Sequence, residues 1–314
     1  MAGHMFGGRK KTHPKDFKTF LSFKKTSPLT NADEMPAPPK FSVVIPSYNQ
    51  GEFLERTLLS IINQDYANFE IIIIDGGSTD GTLSIIRQYE DYISYWVSEP
   101  DAGQTAALNK GFKFANGDIY AWQNSDDIYL PGAFREAANI FVSQPYIQVC
   151  YGNWYTIDEE DQVVDVHYAL KPRKPKSPYE NIDAYNQTMF WRREVHERFG
   201  LFDEALFQKM DTDMIIRFLT QEGVDAFYRT PAFLGAFREH FLQKTNSEKM
   251  DDKVLWEEAR IAGKMGFTPK DSLSGKYFRL KYRLAQLFGS LYLGGPAYTV
   301  RRFFKEYKRR GAFF

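Results

Sequence analysis

Glu70-Ile71-Ile72-Ile73-Ile74-Asp75-Gly76-Gly77-Ser78-Thr79-Asp80-Gly81 decides the fold. Four consecutive isoleucines leave no polar face, so a strand here is covered on both sides, as the central strands of parallel sheets are. Residues 75–81 carry turn chemistry, and Asp80-Gly81 reads as the cap of a further helix. Upstream, Phe41-Ser42-Val43-Val44-Ile45 reads as another buried strand, stopped by Pro46. Between the two, residues 51–64 set Leu54, Leu58, Ile61 and Ile62 at helical spacing. Downstream, residues 103–115 place Leu108, Phe112 and Ala115 on one helical face and end near Gly117, before the short apolar run Ile119-Tyr120-Ala121-Trp122. This alternation predicts an α/β fold with a sheet covered on both faces.

After Cys150 the pattern changes. Trp154 to Val166 predicts a hairpin around Asp158-Glu159-Glu160-Asp161, and residues 171–178 a basic, proline-broken loop. A short strand through Met189-Phe190-Trp191 precedes a helix, and Asp211 to Thr220 reads as another helix. Beyond about residue 246 mostly helix is expected. Residues 1–39, polar, lysine-rich and ending in Pro36-Ala37-Pro38-Pro39, read as a flexible tail and stiff linker. The expected division is residues 40–245 as a catalytic domain (a nucleotide-binding half, 40–150, and an acceptor half, 151–245) and residues 246–314 as a helical extension.

Open α/β sheets bind ligands at the carboxyl ends of their strands. Three such ends are polar here: Pro46-Ser47-Tyr48-Asn49, the segment from Asp75 to Gly81, and Asn124-Ser125-Asp126-Asp127. Tyr48 would offer a ring face to a base, and Asp75 would accept the imide proton of a uracil or thymine. The plain alternative for both is loop structure. Asp101, in Glu99-Pro100-Asp101-Ala102-Gly103-Gln104, serves equally as a helix cap or as a hold on a ribose. Gly76 and Gly77 do not fall in the Gly-x-Gly-x-x-Gly order of dinucleotide sites. Asp126 and Asp127 are adjacent carboxylates after a buried strand, costly unless a positive charge sits between them. A divalent ion that itself holds a diphosphate meets that cost. Asp126 is the candidate ligand, and Asp127 braces the loop or the sugar.

Taken together, Ser42-Val43-Val44-Ile45-Pro46-Ser47-Tyr48-Asn49, Ile61-Ile62-Asn63-Gln64-Asp65-Tyr66, Ile73-Ile74-Asp75-Gly76-Gly77-Ser78-Thr79-Asp80-Gly81-Thr82 and Asn124-Ser125-Asp126-Asp127 resemble family 2 inverting glycosyltransferases of the GT-A fold, from about Phe41 to Thr245. The resemblance implies a Rossmann-like mixed sheet and a bacterial polysaccharide or glycolipid setting. It implies a nucleotide site drawn from Pro46, Ser47, Tyr48, Asn49, Asp75, Asp101, Gln104, Lys110, Asn124, Ser125 and Asp126. Mn²⁺ or Mg²⁺ would sit on Asp126 and His240, and Arg238 or Lys244 would neutralise the departing diphosphate. Asn124 stands where the family usually carries the first aspartate of Asp-x-Asp. Gly200-Leu201-Phe202-Asp203-Glu204 with Met210-Asp211-Thr212-Asp213 resembles the segment of the general base, with Met210 in place of the usual glutamate. It matches Asp211 to the base, leaving Asp213 as the lesser candidate. The implied reaction moves a sugar from a UDP- or dTDP-linked donor to a hydroxyl of a glycan or lipid-linked acceptor.

Composition sets bounds around this reading. The 314 residues balance 40 basic against 40 acidic side chains, so no global charge favours nucleic acid or membrane. The single Cys150 excludes an intramolecular disulfide and fits a reducing, cytoplasmic setting. From Lys276 to Phe314, ten basic residues interleave with leucines and aromatics against the one acidic Glu306, the pattern of a helix that lies on an anionic bilayer. Peripheral contact with the inner face of the cell membrane is therefore expected, with nucleic acid a poorer fit. Two rivals stand beside transfer. A sugar-1-phosphate nucleotidyltransferase would want a basic, glycine-rich loop after the first strand, and Pro46-Ser47-Tyr48-Asn49-Gln50-Gly51 has no base. A non-catalytic sugar-nucleotide or glycan-binding module is kept open by Asn124 and Met210.

Overall fold

The computed structural model describes residues 38–173, 185–241, 243, 251–267 and scattered positions between 280 and 300. Its first half is a parallel set: β1 (Phe41–Ser47), α1 (Leu54–Ile62), β2 (Phe69–Asp75), α2 (Thr82–Gln88), β3 (Tyr95–Ser98), α3 (Gln104–Phe112) and β4 (Ile119–Trp122). Strands β3, β2, β1 and β4 lie side by side in that order, all parallel. The isoleucine run is covered on both faces, as expected: Ile72 and Ile74 pack with Val44, Leu108 and Phe112, while Ile71 and Ile73 pack with Ile45, Leu58 and Ile61. Helix α3 lies so close to β1 that a Cβ on Gly111 would come within 2.4 Å of Val44 Cγ1.

The second half extends this sheet with mixed polarity through β5 (Ile128–Tyr129), α4 (Ala133–Ser143), β6 (Val149–Ile157), β7 (Val163–His167), β8 (Met189–Arg192), α5 (Arg193–Phe199), α6 (Met210–Glu222), β9 (Phe227–Arg238) and α7 (Asp251–Met265). The full order is β3-β2-β1-β4-β8-β6-β9-β5, with β7 also on β6. The hairpin around Asp158 is present as β6–β7. Cys150 is fully buried, and that burial pushes its thiol upward.

Two expectations change. Pro46 does not stop β1, which runs to Ser47. Val44 O accepts the N–H of Gln123 and Ser47 O that of Gly76, so residues alternate between β4 and β2. Pro46 faces the β4 side, where β4 has already ended, and its missing donor leaves no gap. Pro38 and Pro39 are not loose linker: their carbonyls accept bonds from Asn68 Nδ2 (2.7 Å) and the Tyr66 hydroxyl (2.6 Å). Residues 1–37, Lys244, residues 174–184 of the basic loop and most of 276–314 lie outside the described residues.

His196, on α5, sits among Phe112, Tyr120, Trp191 and Phe202, and neither ring nitrogen has a partner among the described residues. Burial first, and then the charge of Arg217, pushes it down to about 4 from 6.5. The unfolded chain therefore binds a proton near pH 6.5 that the folded one refuses until about pH 4. Stability should be intact above 6.5 and fall by about 3 kcal/mol as pH drops through that window. Urea melts at pH 7 and pH 4.5 measure the loss, and His196→Phe should flatten it.

Candidate active site

The carboxyl ends of β1, β2 and β4 meet along one edge, and hydrogen bonds lock their loops together. Asn49, in the left-handed region at φ 51°, accepts the N–H of Thr79 at 2.9 Å and gives its own N–H to Ser78 Oγ at 2.7 Å. Asp80 holds the N–H of Gly51 (2.9 Å) and of Thr82 (3.0 Å), at the start of α2, which is the capping role expected. This scaffold leaves the Tyr48 ring 62% exposed at the end of β1.

Asp75 ends β2. It is completely buried, and its carboxylate accepts the N–H groups of Gly77 and Ser78 and the hydroxyls of Ser78 and Ser98. These bonds tie it to its own loop and to Ser98. The exposed carboxylate at this rim is Asp101. It accepts the N–H of Gly103 at 2.7 Å and lies over Gly76, where a Cβ would come within 3.1 Å of it. Ser47 and Ser125 are buried, and Ser47 Oγ has no partner among the described residues. Lys110 pairs with Glu99 across the α3 approach.

Asn124 is the hub of the loop after β4. Its Oδ1 accepts Gln104 Nε2 (2.8 Å) and Trp122 Nε1 (2.9 Å), and its Nδ2 donates to Asp127 Oδ2 (3.0 Å). An aspartate could not make that last bond and would add a negative charge beside Asp127. Asp127 is itself fully buried, accepting Arg238 N–H at 2.9 Å; burial and then the charge of Asp126 push its carboxyl well above the usual range. Asp127 braces the loop, and the partly buried Asp126 is turned toward His240.

Asp126 Oδ2 lies 2.9 Å from His240 Nε2, joining residues 114 apart in sequence. Phe53 backs the pair, its ring 4.6 Å from that of His240 and 5.0 Å from the Arg238 guanidinium. Arg238, read from the sequence as a candidate hold on the diphosphate, lies inside the protein. It is wholly buried, with Nε on Asp126 O (2.8 Å), Nη1 on Asp158 O (2.9 Å) and a salt bridge to Asp161 at 2.5 Å. Its Nε and Nη1 fasten the β4 loop to the β6–β7 hairpin, while the buried Nη2 has no partner among the described residues. Lys244 lies outside the described residues.

Among the described residues no group of three or more His, Cys, Asp or Glu side chains is placed to hold a metal. The Asp126–His240 pair nonetheless suits one. Adjacent ligands of an octahedral ion with bonds of about 2.1 Å stand about 3.0 Å apart. Mg²⁺-type ions commonly take one or two protein ligands and fill the rest of the shell with phosphate oxygens and water.

Asp211 stands in the first turn of α6, half-buried, with Oδ1 accepting the N–H of Thr212 at 2.6 Å. Asp213, two residues on, is completely buried against Arg217 (2.8 Å) and Lys264 (3.4 Å), a structural arrangement. The segment ahead of α6 joins the nucleotide edge through α3. Thr105 Oγ1 donates to Leu206 O at 2.9 Å, next to the Gln104 that binds Asn124. Sequence reasoning missed Phe53, Thr105 and Glu257. Nothing local marks them, since each acts on a partner distant in the chain.

A model of glycosyl transferase family 2 matches residues 42–200. An uncharacterised glycosyltransferase of Rickettsia typhi is 30% identical over 232 residues, 69% of this chain and 70% of its own. Glycosyltransferase GlyA of Streptococcus pneumoniae is 27% identical over 66% of this chain, which spans 30% of that longer protein. Among solved structures, Staphylococcus aureus TarS 1–349 in complex with UDP-GlcNAc has a TM-score of 0.55 at 17% identity, covering 80% of this chain and 72% of that one. The mannosyltransferase of Pyrobaculum calidifontis in complex with GDP-Man and Mn²⁺ reaches 0.53, also at 17% identity, over 94% and 81%. The structural likenesses speak for the fold. With the family model laid over all three strand ends and the Asn124–Asp127 loop, the chain belongs to glycosyl transferase family 2 and carries its sheet in the GT-A arrangement.

Proposed function

We propose that this glycosyltransferase is metal-dependent and inverting, and that it moves a sugar from a UDP- or dTDP-linked donor to a hydroxyl of a glycan or lipid-linked acceptor. The observation that carries the reading is the meeting of Asp126 and His240 at 2.9 Å on the same carboxyl edge of the parallel strands as the exposed Tyr48 and Asp101. On this reading Tyr48 stacks on the base and Asp101 accepts from the ribose or base edge. Asn124 and Gln104 keep the loop's shape. Asp126 and His240 would hold Mn²⁺ or Mg²⁺, which when bound neutralises charge on the leaving diphosphate. Asp211 takes the proton of the acceptor hydroxyl. The hydroxyl oxygen then bonds to the anomeric carbon from the face opposite the diphosphate, and the bond to the phosphate oxygen breaks with its electron pair. The complexes of TarS with UDP-GlcNAc and of the Pyrobaculum enzyme with GDP-Man and Mn²⁺ are consistent with such a donor and metal.

A lipid-linked acceptor would agree with the C-terminal region, where Leu280, Leu284, Leu287, Phe288 and Leu291 are exposed at helical spacing. No helix among the described residues is long and apolar enough to cross a membrane. Thermal-shift titration with UDP-, dTDP- and GDP-sugars, with and without Mn²⁺, tests the donor and metal. A UDP- or dTDP-sugar at 100 times its dissociation constant should add about 2.7 kcal/mol of stability, and only with the metal. A melt unmoved by every nucleotide and metal would end the reading.

A further inference from the structure

The segment from Phe202 to Asp211 hangs between two supports. On one side stands α3, where Thr105 holds Leu206 O and Asn109 exchanges bonds with the Phe202 backbone at 2.8 and 2.9 Å. On the other side stands α7. Its Glu257, fully buried, accepts the N–H of Phe207 at Oε1 and those of Gln208 and Lys209 at Oε2, each at 2.8 Å. Three successive backbone N–H groups converging on one carboxylate form an anion-binding nest. This nest abuts the positive end of α6, whose N-cap, Lys209, makes no side-chain cap bond. Further along α7, Arg260 holds Asp203 at 2.7 Å, and Lys264 reaches both Asp203 and Asp213. The α7 helix therefore grips the chain two residues before Asp211 and two residues after it.

We propose that Glu257 is a positioning residue for Asp211: its carboxylate fixes the turn that sets where the base-bearing end of α6 points. The inference rests on the reading of Asp211 as the general base. Without the carboxylate, three N–H groups lose their shared acceptor and the turn must reorganise to find water. The base then leaves its place beside the acceptor hydroxyl, while the nucleotide edge keeps its own bonds, the Thr105–Leu206 link ending one residue before the turn that Glu257 holds. Glutamine does not substitute, because its Nε2 faces a donor where an oxygen is required.

The test compares Glu257→Ala, Glu257→Gln, Asp211→Asn and the Asp211→Asn/Glu257→Ala double variant in the full chain. For Glu257→Ala, kcat should fall roughly 10²-fold, as a small displacement of a catalytic group does, with the donor KM and the nucleotide-induced thermal shift unchanged. The double variant should be no slower than Asp211→Asn alone, since both changes remove one function. Formate should restore part of the Glu257→Ala rate saturably by occupying the nest, and should leave Asp211→Asn unaffected. Should Glu257→Ala not fold, Glu257→Asp, which keeps the charge but withdraws its oxygens, is measured in its place. A wild-type kcat in the Glu257 variants, or losses that multiply in the double variant, would overturn the inference while leaving Asp211 as base. Full activity in Asp211→Asn would overturn both.

Discussion

Asp126→Asn should slow sugar transfer by roughly 10³-fold, the scale expected when a group stabilising leaving-group charge is lost. The substitution removes the carboxylate of the β4 loop that meets His240. It should not unfold the loop. Arg238 Nε binds the backbone carbonyl of Asp126, and the buried brace is Asp127, held by Arg238 N–H and Asn124. A lost rate is therefore interpretable as lost chemistry. Initial rates across a Mn²⁺ titration, with a melt as the control for folding, decide the matter. A near-normal rate at ordinary metal concentration would remove Asp126 from the metal's shell.

Asp211→Asn should lower kcat by roughly 10²- to 10⁴-fold, the usual worth of a positioned general base. The amide oxygen can still accept the Thr212 N–H that the carboxylate holds at 2.6 Å, so the first turn of α6 stays as it is. Donor binding should survive, because the nucleotide edge is built from the loops after β1 to β4 and the start of α3, while the Asp211 carboxylate holds the Thr212 N–H within α6. Thermal shift with the donor sugar and single-turnover transfer separate the two quantities. Retained kcat would pass the role elsewhere, though not to Asp213, which is sealed between Arg217 and Lys264.

The first half of the sheet was legible because parallel central strands advertise themselves: Val43-Val44-Ile45 and Ile71–Ile74 are apolar on both faces and are covered on both. Strand β9 was not legible. Thr230-Pro231 breaks its pattern, and the pairing with β6 shifts register there, with Asn153 Nδ2 donating to Pro231 O at 2.6 Å. A proline at a bulge keeps the strand but hides it from periodicity. The site was half legible. Motif order located the loops, but residue type says nothing of where donors and acceptors are already engaged. Asp75 and Arg238, expected to meet a ligand, already hold several bonds within the protein, with Arg238 Nη2 left without a partner among the described residues. The reverse error hid Glu257, which in Trp256-Glu257-Glu258 looks like one more solvated helix charge. Its partners lie some fifty residues earlier, a distance no local pattern spans.

That separation also sets a schedule for the molecule's birth. The turn at Phe207–Lys209 leaves the ribosome 48 residues ahead of the carboxylate that closes it. At about 5–20 residues per second, its N–H groups wait roughly 2–10 seconds in water before Glu257 arrives. The nucleotide edge can settle while translation is still under way, but the proton-accepting end of α6 is finished late. A nascent chain would thus be able to hold its donor before it can discharge it.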